Sequence, residues 1–238
     1  MSDPVKVHKA ISDAGLMSRR SAEALIREGR VTVDGRGVTL GQRVDPDTAV
    51  VEVDGKRIPV APGKVTYLVN KPLGVISTAS DPQGRRTLID LIPPEPRVVP
   101  VGRLDADSEG LILVSNDGEL THRVTHPSFG VTKTYTALVT GQIGAAALRA
   151  LTEGVVLDDG PARAISARVL DRRARTTMIE IVLGEGRNRE VRRMCDEIGY
   201  PVERLVRTAI GAIRDRTLKP GEWRLLEPAE VAGLYAGG

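Results

Sequence analysis

Hydrophobic and polar positions divide the start of the chain into two short helices followed by two hairpins. Apolar residues recur at helical spacing over residues 5–14, and Ser18 is placed to cap a second helix that stops at Gly29. Apolar residues then alternate on both sides of Asp34-Gly35, and the pattern repeats around Asp54-Gly55. Because Asp-Gly favours the tight turn of a two-residue hairpin, this pattern predicts a compact α+β unit.

The rest of the chain is predicted to contain more strands than helices. The segment PVAPGK has two prolines and a glycine, so the linker is placed at residues 61–64, between a first unit of residues 1–60 and a domain of residues 65–238. Strands are predicted at 65–69, 98–101, 111–115, 133–139, 164–169, 176–183 and 202–210, and helices at 119–124, 145–152, 188–198 and 228–235. Because these elements do not alternate regularly, we expect an α+β domain on a largely antiparallel mixed sheet with flanking helices.

Composition excludes several classes of protein. Hydrophobic residues make up 41% and charged residues 27% of the 238 residues, which is typical of a soluble globular protein. No apolar run approaches the roughly 18 residues of a membrane span, and the N-terminus lacks the apolar core of a secretory signal. A single cysteine, Cys195, excludes an internal disulfide and indicates a reducing cytoplasm. One cysteine and three histidines are too few, and too badly spaced, for a zinc site, so no metal is expected.

Positive charge is concentrated in the C-terminal third of the chain. The net charge is +3, and the excess of arginine and lysine lies mainly between residues 162 and 219, with a smaller excess in residues 1–44. Arginine far outnumbers lysine. A guanidinium binds phosphate through two parallel bonds and stacks on bases, so this bias indicates a nucleic-acid partner. G+C-rich coding produces the same bias, and composition alone does not separate these two explanations.

An acidic stretch, VGRLDADSEGLILVSNDGEL at residues 101–120, stands out in this basic chain. Three interpretations compete: a calcium loop, a polar turn before a buried strand, and a catalytic carboxylate at the start of that strand. Calcium is disfavoured because Asn116 stands where an EF-hand requires a bidentate glutamate. A polar turn explains most of the stretch, but not why Arg103 and Asp105 flank Leu104. In an extended segment these two side chains point to the same side, as an ordinary ion pair or as part of a site.

Four motifs along the chain resemble one family. GRLDADSEGLILVSNDGEL closely resembles the signature of the RsuA/RluB/RluE/RluF family of ribosomal RNA pseudouridine synthases, with Ser108 and Ser115 in place of two threonines. Gly102 at its start is typical of this family rather than of the related RluA group. LVNKPLGVIST, VTKTYTALVTG and GEGRNREVRRMCDEIGYPVERLVRTAIG resemble the other motifs in order. AGLMSRRSAEALIREGRVTVDG resembles an S4-type RNA-binding domain, and the whole is most similar to the large-subunit type B enzymes.

The resemblance implies an S4-like domain followed by a domain that isomerises one uridine of ribosomal RNA, in the 23S RNA, to pseudouridine. The glycosidic C–N bond is broken and a C–C bond joins the same sugar and base, so neither cofactor nor metal is implied. Ribosomal RNA is the implied partner, and we expect a cytoplasmic monomer that does not bind membranes. Two alternatives remain: an inactive RNA-binding factor of ribosome assembly, and the same enzyme acting on 16S RNA.

The resemblance also implies roles for individual residues. Asp105 is the catalytic carboxylate, which attacks the sugar, attacks the base or removes a sugar proton, and Arg192 is the cation that keeps it ionised. Tyr135 packs on the target base, and Arg103 fills the space that the flipped-out uridine leaves. Lys71 either holds the NKPLG loop or contacts RNA. Further RNA contacts are expected from basic residues of the third motif and of the first unit, namely Arg187, Arg189, Arg193, Arg19, Arg20 and Lys9.

Overall fold

The computed structural model describes residues 3–46, 48–58 and 63–236, so residues 61 and 62 of the predicted linker lie outside the described residues. The chain divides into two compact units. The first contains the described residues up to Val65 together with Pro93–Val98 and Asn116–Gly118, and the second contains the remainder. Within the described residues, no helix has both the length and the apolar composition needed to cross a bilayer.

The first unit consists of two helices and short antiparallel strands. Its elements are β1 (Val5–Lys6), α1 (Val7–Asp13), α2 (Arg19–Arg27), β2 (Val31–Val33), β3 (Arg36–Gly37), β4 (Arg43–Val44), β5 (Val51–Val53) and β6 (Lys56–Arg57). One sheet has the order β3-β2-β5-β6, and β1 pairs with β4. The first helix therefore begins two residues later than predicted, because Val5–Lys6 pair as a strand with Arg43–Val44.

Local sequence signals account for the helix ends and turns of this unit. The Oγ of Ser18 accepts a hydrogen bond from the Ser21 N–H at 3.1 Å, which confirms the predicted cap of α2. Asp34 and Asp54 both have a left-handed φ of 52°, and each precedes a glycine that is also left-handed. Both predicted Asp-Gly hairpins are therefore confirmed.

The second unit carries most of the regular structure. Its strands are β7 (Thr66–Lys71), β8 (Val99–Val101), β9 (Glu109–Ser115), β10 (Lys133–Thr140), β11 (Val155–Leu157), β12 (Gly160–Ala162), β13 (Ser166–Arg172), β14 (Thr176–Leu183), β15 (Val202–Ile210), β16 (Ile213–Arg214) and β17 (Trp223–Leu225). Its helices are α3 (Gly118–Thr125, whose first residue belongs to the first unit), α4 (Ala145–Glu153), α5 (Glu190–Glu197) and α6 (Pro228–Ala236). The short strands β11, β12, β16 and β17 are absent from the sequence prediction because none has a run long enough to show alternation.

A nine-stranded sheet forms the framework of the second unit within residues 63–236. Its main order is β13-β14-β10-β15-β9-β7-β17, with β8 paired to β9 and β16 paired to β15. All of these pairs are antiparallel except β9 with β15. The expected α+β fold on a largely antiparallel sheet is confirmed.

The parallel pair at the centre of the sheet depends on Gly110. In this pair Gly110 lies opposite Arg207, and its φ is +106°. A Cβ on Gly110 would lie only 2.2 Å from the carbonyl oxygen of Arg207. The missing side chain therefore allows the two strands to approach each other.

The acidic stretch runs from β8 through an irregular loop into β9. Every residue of β9 is buried, and Leu111 and Leu113 belong to the main core cluster. A twelve-residue EF-hand loop that ended at Asn116 would begin at Asp105, but Glu109–Ser115 within it form strand β9, so the EF-hand interpretation is wrong. The loop places its polar residues at the end of a buried strand in the middle of the sheet.

Candidate active site

A pocket of about 310 Å³ lies in the second unit, and the loop between β8 and β9 forms one of its walls. Strands β10, β14 and β15 and the start of α5 form the other walls. The pocket brings together five of the residues predicted from sequence, namely Asp105, Tyr135, Arg103, Arg187 and Arg189. Three others from the same predictions, Lys71, Arg192 and Arg193, do not line it.

Asp105 is the first residue of a turn over residues 105–108. The Ser108 N–H donates to the Asp105 carbonyl oxygen at 3.1 Å, and the preceding residue, Leu104, is buried. Two hydrogen bonds fix Leu104, since its N–H donates to Ser77 Oγ at 3.1 Å and its carbonyl accepts from the same hydroxyl at 2.8 Å. The Asp105 side chain is 26% exposed and lines the pocket. A buried neighbour and a hydrogen-bonded loop therefore hold this carboxylate at a fixed place.

Arg103 does not pair with Asp105. Its side chain is exposed, and in the described part of the chain it forms no ion pair with that carboxylate. Arg103 lines the pocket and also a second cavity of about 600 Å³, whose lining shares residues 103–105 with the first.

The cation nearest to Asp105 is Arg189, where the sequence indicated Arg192. Arg189 Nη1 lies 4.0 Å from Asp105 Oδ2 and donates to Asp107 Oδ2 at 2.9 Å. Its backbone is left-handed, with a φ of 49°, at the residue before α5. This conformation is uncommon for a residue with a side chain and occurs often at functional sites.

Arg192 contacts the loop two residues beyond Asp105. Its Nη2 donates to the Asp107 carbonyl at 2.7 Å, its Nη1 donates to the Val202 carbonyl at 2.9 Å, and its Nε lies 3.4 Å from Asp107 Oδ2. Burial opposes ionisation of Asp107, but the hydrogen bond from Arg189 and the charge of Arg192 outweigh it and hold the Asp107 pKa below its ordinary value. Arg192 therefore positions the loop through Asp107 and does not pair directly with Asp105.

Tyr135 lies on β10 and lines the pocket, with only 8% of the residue exposed. Lys133, two residues earlier on the same strand, also lines the pocket, since alternate residues of a strand share one face. Arg207 on β15 is the register partner of Tyr135 and lines the same pocket. The side chains of Lys133, Tyr135 and Arg207 therefore form one patch of the pocket wall.

Lys133 and Arg207 are site residues that the sequence analysis missed. Both are buried, at 8% and 5% exposure. Burial lowers the pKa of Lys133 to about 8, and the neighbouring positive charge of Arg207 adds to this effect. The available signal was the spacing Lys133–Thr134–Tyr135 on a strand, which puts the lysine on the face of the tyrosine.

Glu190, at the start of α5, is another buried group that the sequence analysis missed. It lines the pocket and accepts a hydrogen bond from the Arg187 N–H at 2.9 Å. Burial raises the pKa of Glu190 to about 7, and the neighbouring Glu185 carboxyl group also favours the protonated form. The folded protein therefore holds a proton that the unfolded chain releases at lower pH.

Replacing Glu190 with glutamine is expected to stabilise the protein more at pH 8 than at pH 4.5. Between pH 4.5 and about 7 the folded state binds more protons than the unfolded state, so wild-type stability falls as pH rises through this window. The glutamine cannot ionise. The free energy of unfolding of the variant, relative to that of wild type, should therefore rise by about 1–3 kcal/mol between pH 4.5 and pH 8. Urea unfolding at both pH values measures this, with the exposed Glu153→Gln as control. If the difference in free energy of unfolding between variant and wild type is the same at both pH values, the proton is not bound to Glu190.

The other predicted RNA contacts of the third motif are engaged by acidic groups. Arg193 makes two bonds to Asp159, at 2.9 and 3.0 Å. Arg187 binds Glu185 at 2.9 Å and Asp159 at 3.5 Å. Asp159 lies in the turn between β11 and β12, so this hairpin holds the two guanidinium groups in place.

Lys71 is fully buried in this structure. Its Nζ donates to the carbonyls of Pro72 and Val75, at 3.0 and 2.7 Å. These bonds close the NKPLG loop, so the contacts of Lys71 match the loop-holding role and not the RNA contact. Burial lowers the pKa of Lys71 to about 8 although Asp105 opposes this shift.

In the first unit, Arg19 and Arg20 are exposed at the start of α2. Lys9 is paired with Asp13, with 2.5 Å between Nζ and the carboxylate. Among residues 3–46, 48–58 and 63–236, no group of three or more His, Cys, Asp or Glu side chains is arranged to hold a metal ion.

Comparison with known proteins identifies what these units are similar to. Residues 65–197 match the family described as RNA pseudouridylate synthase, and residues 5–50 match the S4 domain. An uncharacterized RNA pseudouridine synthase of Mycobacterium tuberculosis is 48% identical over 97% of this chain and 93% of its own length. A ribosomal large subunit pseudouridine synthase B of Bacillus subtilis is 40% identical over 97% of this chain and 96% of its own. A crystal structure of a pseudouridylate synthase covers 97% of this chain and 99% of its own, with a TM-score of 0.68 and 25% identity.

Proposed function

Because this chain belongs to the RNA pseudouridylate synthase family and carries an S4 domain, we propose that it isomerises one specific uridine of 23S ribosomal RNA, with Asp105 as the catalytic carboxylate and without a cofactor. The observation that carries this proposal is that Asp105 and Tyr135 line one pocket at the centre of the second unit. Its volume, about 310 Å³, lies at the lower end of the range of about 300–1,000 Å³ for ligand pockets. A pocket of this size suits one base with its sugar.

The uridine must leave the RNA stack to reach this pocket. Base flipping costs a few kcal/mol and is offset by stacking and hydrogen bonds inside the site. Tyr135 presents its ring to the pocket as the stacking surface for the base. Arg103 is exposed and lines the pocket as well, which suits a side chain that enters the space left in the RNA.

Asp105 acts on the sugar or the base as nucleophile or as base, and it must be ionised to do either. Arg189 supplies positive charge at 4.0 Å. Arg192 acts as a positioning residue, since its bonds to Asp107 and Val202 fix the loop that carries Asp105. Arg189 therefore acts on the Asp105 carboxylate directly by its charge, and Arg192 acts on it indirectly by fixing the backbone of the loop.

The choice of the large-subunit RNA rests on relatives. The Bacillus subtilis relative and one of Vibrio cholerae, 41% identical over 95% of this chain, are both named ribosomal large subunit pseudouridine synthase B. The S4 domain supplies a second RNA-binding surface, for which we propose Arg19 and Arg20 because they are exposed at a helix N-terminus.

Replacing Arg19 and Arg20 together with alanine is expected to weaken binding to ribosomal RNA about tenfold, because two phosphate contacts are lost. The single-turnover rate at saturating enzyme should stay at the wild-type value, since neither residue lines the pocket. Filter binding and rapid quench measure the two quantities. Arg57→Ala, an exposed arginine on β6 of the same unit, is the control and should change affinity less than about twofold. Unchanged affinity in the double variant would rule out this surface.

The proposed function is tested by mapping pseudouridines in both ribosomal RNAs of strains with and without the gene. We expect one mark in 23S RNA to disappear on deletion and to return when the wild-type gene is restored. A mark lost from 16S RNA would move the target to the small subunit. If no mark changes while the purified protein still binds ribosomal RNA, the chain is a binding factor and not a catalyst.

A further inference from the structure

We propose that Lys133 and Arg207 form a cationic receptor for the uracil anion that is released when the glycosidic bond breaks. This inference rests on the proposed function. It assigns a catalytic role to two residues that lie on the same face of the sheet as Tyr135. The receptor is the patch of pocket wall defined by Lys133 and Arg207.

The two cations lie on neighbouring strands, in diagonal positions of the register. Lys133 and Tyr135 occupy alternate positions of β10, and Arg207 on β15 is the register partner of Tyr135. All three side chains line the pocket that Asp105 also lines. A base stacked on Tyr135 would therefore have both cations at its edge.

One donor of Arg207 is left without a partner. Its Nε donates to the Leu111 carbonyl at 2.6 Å, and its Nη1 donates to the Arg103 carbonyl at 3.5 Å. Its Nη2 is buried and, among the described residues, has no hydrogen-bond partner. The two carbonyl bonds hold the guanidinium in one orientation and leave Nη2 as the donor available to a ligand.

Neither cation has a carboxylate within ion-pair distance in the described part of the chain. The Glu190 carboxyl group lines the same pocket and favours the charged form of Lys133, but burial raises the pKa of Glu190 itself to about 7. No ion pair is formed by Lys133 or by Arg207, although a buried charge without a partner is costly. A buried charge of this kind in a natural structure needs an explanation, and action on a ligand is one that its place in a pocket supports. Two adjacent buried cations facing one pocket therefore indicate an anionic group that enters it.

A phosphate is a poor candidate for this anion. Lys133 and Arg207 are more than nine-tenths buried, whereas Arg103 at the same pocket is exposed. In a flipped nucleotide the base enters deepest and the phosphates stay outside. The group that reaches the two cations is therefore the base, which becomes negative only during the reaction.

The chemistry places negative charge on the base at one step. When the N1–C1′ bond breaks, its electron pair stays with uracil and is shared over N1, O2 and O4. C5 then bonds to C1′, the C5 hydrogen leaves as a proton and N1 takes up a proton, so atoms and electrons are conserved. Donors fixed in place before the step stabilise this charge without reorganisation, which is the most effective use of a buried cation.

Lys133→Gln and Arg207→Gln test the receptor on RNA that carries uridine or 5-fluorouridine at the target. Fluorine withdraws electrons, so the departing base is a more stable anion without help from the protein. We expect each variant to lower the single-turnover rate of glycosidic cleavage about 100-fold on uridine and about tenfold or less on 5-fluorouridine. RNA affinity should change by less than about threefold, and Arg207→Lys, which keeps the charge, should retain more activity than Arg207→Gln.

The control is Arg168→Gln, an exposed arginine on the edge strand β13, which should leave both rates unchanged. Thermal unfolding of every variant checks that it is folded. If Arg207→Gln does not fold, Lys133→Gln alone still tests the receptor. The receptor proposal is wrong if the cleavage rate falls equally on both substrates, if it does not fall, or if weaker RNA binding accounts for the fall. If wild type does not convert uridine, the proposed function fails; if it does and the variants match it, only this inference fails.

Discussion

Replacing Asp105 with asparagine is expected to lower the single-turnover rate of pseudouridine formation by about 10⁴-fold or more. The amide has nearly the same shape as the carboxylate, so the Leu104–Ser77 hydrogen bonds and the turn at Ser108 should persist. What is lost is the negative charge and the lone pair that attacks or removes a proton. Affinity for ribosomal RNA should change by less than about threefold, because phosphate contacts dominate it.

Two further variants separate charge from position. Asp105→Glu keeps the charge but moves it by one methylene, and we expect a loss of about 100-fold or more because a displacement of about 1 Å has this effect in other sites. Asp171→Asn removes a carboxylate on the exposed strand β13 and should leave the rate unchanged. A wild-type rate in Asp105→Asn would transfer the catalytic role to another carboxylate, and Asp107 would be the first to test.

Replacing Gly110 with alanine is expected to lower the free energy of unfolding by about 3–5 kcal/mol and to abolish activity. The added Cβ would lie 2.2 Å from the carbonyl oxygen and 2.6 Å from the nitrogen of Arg207, which are backbone atoms and cannot rotate away. The φ of +106° adds strain for any residue with a side chain. The parallel strands β9 and β15 must separate, and this displaces both the Asp105 loop and Arg207.

The matched control for this variant is Gly84→Ala. Gly84 also has a positive φ, +69°, but nothing lies within 4 Å of the position that its Cβ would occupy. This substitution should cost only about 1 kcal/mol, which reflects the backbone conformation alone. Urea unfolding measures both variants. If the two lose the same stability, the close approach of β9 to β15 is not what makes Gly110 necessary.

Local patterns predicted most of the second unit. The bounds of β14 and β15 are those expected from alternation, and α4 and α6 differ from expectation by one residue at their C-terminal ends. The parallel pairing of β9 with β15 was not predicted, because alternation along a strand does not specify which strand lies beside it. A glycine inside a strand indicates a close approach of another backbone, but the predicted strand began at residue 111 and left Gly110 outside it.

The sequence predicted some of the site residues and missed others, because it does not show where each side chain points. Asp105 and Tyr135 line one pocket, as the motifs suggested. The cation beside Asp105 is Arg189, because a left-handed backbone at that residue turns the chain just before α5 begins. The resemblance indicated Arg192 as this cation, but a motif does not show which of two nearby arginines reaches the carboxylate. Lys133 and Arg207 were missed because their role depends on the pairing of β10 with β15.

The β11–β12 hairpin affects how salt acts on RNA binding. Arg187 and Arg193 are already neutralised by Asp159 and Glu185 before any RNA arrives. A phosphate that takes over one of these guanidinium groups displaces a carboxylate, and that carboxylate then attracts cations from solution. Net counterion release is therefore smaller than the number of arginines at the interface implies. For this enzyme, the number of phosphate contacts calculated from the salt dependence of RNA affinity is therefore smaller than the number of phosphates that the protein contacts.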